Sequence, residues 1–226
     1  MNIALILSGG TGTRLGADMP KQYLMVGNKP VITYCLETFA EHPLIDAMQI
    51  VAHSNWHKFI FDSWYSNKLK GCSAPGPTRQ LSIYNGLCDI REYSSDDDCV
   101  IIHDAARPLV SSEMITNCFK ALEQHDGVLP VLPMKDTVYF SDDGKCISQL
   151  VDRSKIYAGQ APEAFRLGKY LAANEALMPE KILKINGSTE PAIMAGMDIA
   201  MIDGDEKNFK ITTKADLEKF KEYMKL

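Results

Sequence analysis

Residues 2–22 read N-I-A-L-I-L-S-G-G-T-G-T-R-L-G-A-D-M-P-K-Q. The first six are an unbroken apolar run of strand length, with none of the alternation a half-exposed strand shows. A strand buried on both faces reads this way, which points to a sheet covered by helices on both sides. The run breaks at Ser8 into a stretch holding Gly9, Gly10, Gly12 and Gly16. Glycines let a backbone turn tightly and bring its N–H groups close to an anion. Arg14 and Lys21 place two cations in the same loop, which suits more than one phosphate. The loop is not a Walker loop, because no Gly-Lys-Ser or Gly-Lys-Thr occurs in it. Nor is it a dinucleotide fingerprint: Gly10, Gly12 and Gly16 are spaced one residue too long, with Arg14 inside. The bland alternative is an ordinary surface turn.

The rest of the chain is consistent with such a strand and loop. It has 226 residues, 46% of them hydrophobic and 23% charged, the composition of a globular domain. The net charge of −5 gives no electrostatic case for nucleic acid, so phosphate binding has to come from local cations. No apolar run is long enough to span a membrane, and no signal segment precedes the first strand. The six cysteines are scattered without a C-x-x-C pair, which argues against zinc and fits reduced thiols in the cytoplasm.

Apolar strands alternate with helical segments. Helical spacing predicts a helix over 31–40, behind Pro30, and another from an Asn55 cap to about Lys68. Strands are expected at 47–52, 99–104, 127–134 and 198–203, and helices at 111–125, 167–177 and in a short piece ending at Ala195. Thr78 reads as the N-cap of a helix whose first turns carry Arg79 and Ser82, side chains able to face a ligand there. The strand at 99–104 ends in His103-Asp104. An aspartate at the carboxyl end of a buried parallel strand is placed to hold Mg²⁺; a turn cap and a salt bridge to Arg107 are the alternatives. His103 reads as structural. Residues 138–151 alternate around S-D-D-G and predict a hairpin with its turn at 142–144, an arm at about 137–157 that packs on a second subunit. Thr213 and Asp216 have the spacing of a capping box. Lys210 precedes them near a strand edge, either solvated or functional. The pattern is α/β, a single domain over 1–226 with a mostly parallel sheet.

In order along the chain stand G-G-T-G-T-R-L-G with P-K-Q, R-Q-L-S-I-Y-N-G-L, H-D-A-A-R-P, D-T-V, V-D-R, Q-A-P-E-A-F and N-F-K-I-T-T. Together they resemble the sugar-alcohol-phosphate cytidylyltransferases, the group acting on 2-C-methyl-D-erythritol 4-phosphate or ribitol 5-phosphate. The resemblance implies a Rossmann-like nucleotidyltransferase domain with a projecting β-hairpin arm, a homodimer formed through that arm, CTP and a polyol phosphate as substrates, and Mg²⁺ as cofactor. It implies catalytic roles for Arg14, Lys21 and Lys210. Leu7, Ser8, Gly9, Gly10, Gly76, Arg79, Ser82, Asp104 and Ala105 would bind the nucleotide. Asp104 would hold the metal, with an acid near Asp205 as second ligand. Arg107, Thr137 and Arg153 would bind the acceptor. Such a site suits the chemistry: a phosphate oxygen is already nucleophilic at neutral pH, so the work is positioning and charge neutralisation.

The departures concern the acceptor. The loop opens L-S-G-G where the methylerythritol group has A-A-G, Ala161 stands where that pattern has Thr, and S-T-E-P at 188–191 replaces T-D-[DE]. Gly9-Gly10 and Tyr157-x-Gly159-Gln160 are closer to the ribitol group, which makes ribitol 5-phosphate the expected acceptor and methylerythritol phosphate, for isoprenoid synthesis, the alternative. An NAD(P)-dependent oxidoreductase and a nucleotide-binding regulator are the readings from other classes. The first lacks a ribose-binding acid after the second strand, and the second is disfavoured by the retained Lys21, Asp104 and Lys210.

Overall fold

The apolar run forms β1 (Asn2–Leu7), at the centre of the sheet. The computed structural model describes residues 1–10 and 19–225. A tight 3-10 turn, Lys21–Tyr23, leads to the small ribbon β2 (Met25–Val26) and β3 (Lys29–Pro30) and then to α1 (Val31–Glu41). Next come β4 (Ala47–Val51), α2 (Ser54–Ser63), β5 (Leu69–Ser73) and α3 (Arg79–Arg91). They are succeeded by β6 (Cys99–Asp104), α4 (Ser112–Leu122) and β7 (Gly127–Pro133). The arm is β8 (Val138–Phe140) and β9 (Gln149–Val151), and after it come β10 (Tyr157–Gly159), β11 (Glu163–Arg166) and α5 (Leu167–Glu175). The chain finishes with α6 (Glu190–Met194), β12 (Ile199–Asp203) and α7 (Lys214–Tyr223).

The main sheet runs β10-β7-β11-β6-β1-β4-β5, with β12 on β7. Pairing is parallel for β4 and β6 on β1, β5 on β4 and β12 on β7; β10 and β11 run antiparallel to their neighbours. The two sides of β1 enter different cores. Ala4 and Ile6 pack with Leu36 and Phe39 of α1 and Ile115 of α4, whereas Ile3 and Leu5 pack with Ile83 and Leu87 of α3 and Tyr170 of α5. This is why the strand shows no alternation. Burying each of Ile3, Leu5 and Ile6 contributes about 1.5–3 kcal/mol. Gly86 lets α3 lie directly on the sheet, since a Cβ there would stand 2.6 Å from a Leu5 methyl.

Several expectations change in the structure. The second helix starts at Ser54, has His53 in the cap position with no side-chain cap, and ends at Ser63, so Asn55 is not its cap. The next element is β5, an edge strand. The helix expected at 111–125 is closed at Leu122, and Ser111 caps it by accepting from the Met114 N–H. The arm's strands are only three residues each; between them the Asp143 carboxylate accepts from the Lys145 and Cys146 amides. The Thr78 cap and the Thr213–Asp216 capping box form as read. No described helix is long and apolar enough to cross a membrane.

Candidate functional site

Three parallel strands deliver their carboxyl ends to one edge of the sheet. Leu7 pairs with Val51 on one side and Asp104 on the other, so Ser8–Gly10, His53 and Asp104 arrive together. Ligands of open α/β sheets bind outside this edge. A cavity of about 540 Å³ opens there, within the size range of small-molecule sites.

One wall is the start of the glycine loop. Its carbonyls are pinned by Gln22, whose side-chain amide donates to Ser8 O at 2.7 Å and Gly10 O at 2.8 Å. The Tyr23 hydroxyl donates to Ser8 O at 3.1 Å and accepts from the Ser8 hydroxyl at 2.9 Å, while its ring stacks on Trp56. Gly9 lies so close to Pro75 that a Cβ would stand 2.5 Å from the proline ring. Only glycine leaves room for that approach. Gly76 is equally confined, against Leu81 at 2.7 Å. The Ser82 hydroxyl accepts from the Gly76 N–H at 3.0 Å and donates to Thr78 O at 2.8 Å, which holds the 76–78 turn over the cavity.

The floor is charged. The Asp104 carboxylate accepts from Arg79 Nε at 3.2 Å and Lys210 Nζ at 3.0 Å, and Arg107 Nε stands 3.6 Å away. Burial alone would raise this carboxyl, but the three cations outweigh it and hold it far below the usual carboxylate range. Arg79, Lys210 and Lys21 all line the cavity, and Asp104 is the acid among its described lining residues. Such a surface accepts a polyanion. Lys210 comes from a segment without regular structure that is braced by buried amides. Gln160 donates to Asp205 O and accepts from the Asp205 N–H, both at 3.0 Å. The Asn208 side-chain amide, fully buried, donates to Ala161 O at 2.6 Å, and the Asn208 main-chain carbonyl accepts from Arg107 Nη1 at 2.7 Å. Behind Arg79 lies a second buried carboxylate, Glu163. Its Oε1 is 3.7 Å from Arg79 Nη2, and it accepts from the hydroxyls of Ser188 and Thr189.

The structure thus brings Leu7, Gly9, Gly10, Lys21, Gly76, Arg79, Ser82, Asp104 and Lys210 to one cavity. Arg14 lies outside the described residues. Ser8 is behind the wall, bonded to Tyr23, and Ala105 is buried while Ala106 lines the cavity. Arg107 joins through Asp104 and Asn208. The Asp205 carboxylate turns back to accept from the Lys207 amide and is not among the described residues lining the cavity. Thr137 and Arg153 are exposed at the base of the arm and are not among the described residues lining the cavity; Arg153 donates to Lys135 O at 2.6 Å. Sequence reading assigned no role to Gln22, His53, Thr212 or Glu163. The only signal for Glu163 was an acid inside an otherwise apolar stretch, A-P-E-A-F.

The comparisons agree with this geometry. A family described as 2-C-methyl-D-erythritol 4-phosphate cytidylyltransferase matches residues 2–225. A ribitol-5-phosphate cytidylyltransferase of Streptococcus agalactiae is 32% identical over 225 residues, covering 98% of this chain and 94% of that protein. A 2-C-methyl-D-erythritol 4-phosphate cytidylyltransferase of Geobacter metallireducens is 33% identical over 221 residues, covering 95% and 93%. The crystal structure of 4-diphosphocytidyl-2C-methyl-D-erythritol synthase from Anaerococcus prevotii superposes with a TM-score of 0.85 at 25% identity, covering 100% of this chain and 96% of that one. These matches leave the oxidoreductase and regulator readings without support. From the glycine loop to the capping box, this chain belongs to the 2-C-methyl-D-erythritol 4-phosphate cytidylyltransferase family and is a cytidylyltransferase.

Proposed function

We propose that the chain transfers CMP from CTP to D-ribitol 5-phosphate, giving CDP-ribitol and pyrophosphate. The observation that carries the acceptor is the pattern Gly9-Gly10 with Tyr157-x-Gly159-Gln160, which resembles the ribitol group more than the methylerythritol group. Relatives named ribitol-5-phosphate cytidylyltransferase, from Streptococcus agalactiae and Vibrio parahaemolyticus, align over 98% of the chain. The family description and the Geobacter relative favour 2-C-methyl-D-erythritol 4-phosphate as the second reading.

In this reading the cytidine end of CTP lies between the Gly9–Gly10 backbone and the Gly76–Ser82 turn. The triphosphate lies over Lys21, Arg79 and Lys210. An oxygen of the acceptor phosphate forms the new bond to the α-phosphorus as the bond to the bridging oxygen breaks in line with it, and that electron pair leaves on pyrophosphate. Lys21, Lys210 and Arg14 offset the charge that builds on the α-phosphate oxygens. Asp104 fits a magnesium ion: it is an ionised carboxylate facing the cavity, and Mg²⁺ takes one or two carboxylates together with substrate phosphates. When bound, the ion would neutralise phosphate charge. Lys210, now on Asp104, would then turn to the nucleotide.

Thr137 and Arg153 are not among the described residues lining this cavity, and the arm exposes Tyr139, Phe140 and Leu150. Both facts support a homodimer in which the arm reaches a neighbour's acceptor site. A cytoplasmic enzyme fits its free cysteines. The deciding experiment is a panel of polyol phosphates with CTP and Mg²⁺, read as pyrophosphate release. Ribitol 5-phosphate is expected to give the highest kcat/KM. Preference for methylerythritol phosphate would transfer the assignment to the second reading, and release with neither would end it.

A further inference from the structure

We propose that Glu163 is a positioning residue for the transfer reaction: it fixes the orientation of Arg79 over the nucleotide phosphates and ties residues 188–189 to that arginine. The inference rests on the cavity being the CTP site. Glu163 sits on β11, antiparallel to β6 and level with Ile102, and is 5% exposed. Burying a carboxylate is costly, and a buried ion pair is often replaced by apolar packing at no loss of stability. The ion pair is therefore weak evidence of a stabilising role for this acid.

Geometry does. The Arg79 guanidinium is engaged at both ends, Nε by a hydrogen bond to Asp104 at 3.2 Å and Nη2 by an ion pair with Glu163 Oε1 at 3.7 Å. One carboxylate fixes where a guanidinium is; two fix which way its plane faces. Arg79 needs that restraint, because it starts α3 and a third of its side chain is open to the cavity. Glu163 is itself fixed from behind. The hydroxyls of Ser188 and Thr189 both donate to it, and the Tyr170 hydroxyl holds Ser188 O at 2.6 Å. Burial raises the Glu163 carboxyl, with Arg79 and the two hydroxyls pulling against it.

The test is a double-mutant cycle in the full chain, with kcat and KM for CTP measured for Glu163→Gln, Arg79→Ala and the double variant, and folding checked by thermal unfolding. Glu163→Gln is expected to lower kcat/KM roughly tenfold to a hundredfold, the cost of a misplaced group. It is expected to cost nothing further in the Arg79→Ala background. An equal loss in both backgrounds overturns the positioning role while leaving the cavity assignment intact. Unchanged kinetics for Arg79→Ala itself overturn the cavity assignment and this inference with it. Should Glu163→Gln not fold, Arg79→Lys serves instead. It keeps the charge but cannot reach both carboxylates, so it is expected to lose activity, and wild-type kinetics would refute the need for a fixed orientation.

Discussion

His103 and Asp104 are adjacent on β6 and live in opposite environments. Asp104 faces the cavity and is surrounded by cations. His103 points into the core beside Phe39, fully buried, with Nε2 bonded to Arg107 O at 2.9 Å. Burial pushes its pKa from 6.5 down to about 4. The unfolded chain therefore accepts a proton that the native state refuses, and stability falls as pH drops from about 6.5 toward about 4. Between about pH 7.5 and about pH 5 this costs roughly 2 kcal/mol. Asp104 acts in the same direction, because its folded pKa is depressed, but only below the ordinary carboxylate range near 4. Urea unfolding of wild type and His103→Gln at the two pH values checks the assignment. The wild type should lose about 2 kcal/mol more than the variant, and equal losses would contradict it.

At the scale of elements, the arm makes the sharpest prediction. Its exposed apolar side chains, and the absence of Arg153 from the described cavity lining, set up a test of the proposed homodimer, in which Arg153 is expected to serve a neighbour's site. Arg153→Ala and Lys21→Ala should each be nearly inactive alone. Mixed under subunit-exchange conditions, they should regain activity, because one kind of mixed site is intact; no recovery would place Arg153 in its own subunit's site. The elements also divide by how readable they were. The central strands and α1, α3, α4 and α7 carry long periodic patterns or caps. β5, L-K-G-C-S, has a lysine and a glycine in an edge strand with one wet face. β11 has four residues between Pro162 and α5, too short for any period to register, and becomes a strand only because β6 and β7 flank it.

At the scale of the molecule, the site joins parts of the chain that are distant in sequence. Asp104 and Lys210 meet across 106 positions, and Arg79 and Asp104 across 25. Binding here should stabilise the whole chain. CTP at about a hundred times its Kd should add about 2.7 kcal/mol to unfolding, seen as one shifted transition, and Lys210→Ala should shrink the shift at the same CTP concentration. A shift confined to part of the transition would show that the two halves unfold separately. The same breadth limits what sequence alone reveals. Asp104, Lys21 and the glycines announce themselves through local chemistry. Gln22 and Glu163 do not, since each acts through a carbonyl or guanidinium that only the folded chain brings near. Long-range pairing also makes demands during folding. β1 is flanked by β4 and β6, so N-I-A-L-I-L has one edge unpaired until residues 99–104 dock. Until then it is a sticky, strand-prone segment whose collapse must wait for closure of a loop of about a hundred residues, a slow route that leaves time for self-association. Refolding yield should fall as protein concentration rises, with β1 itself the segment through which misfolded chains adhere.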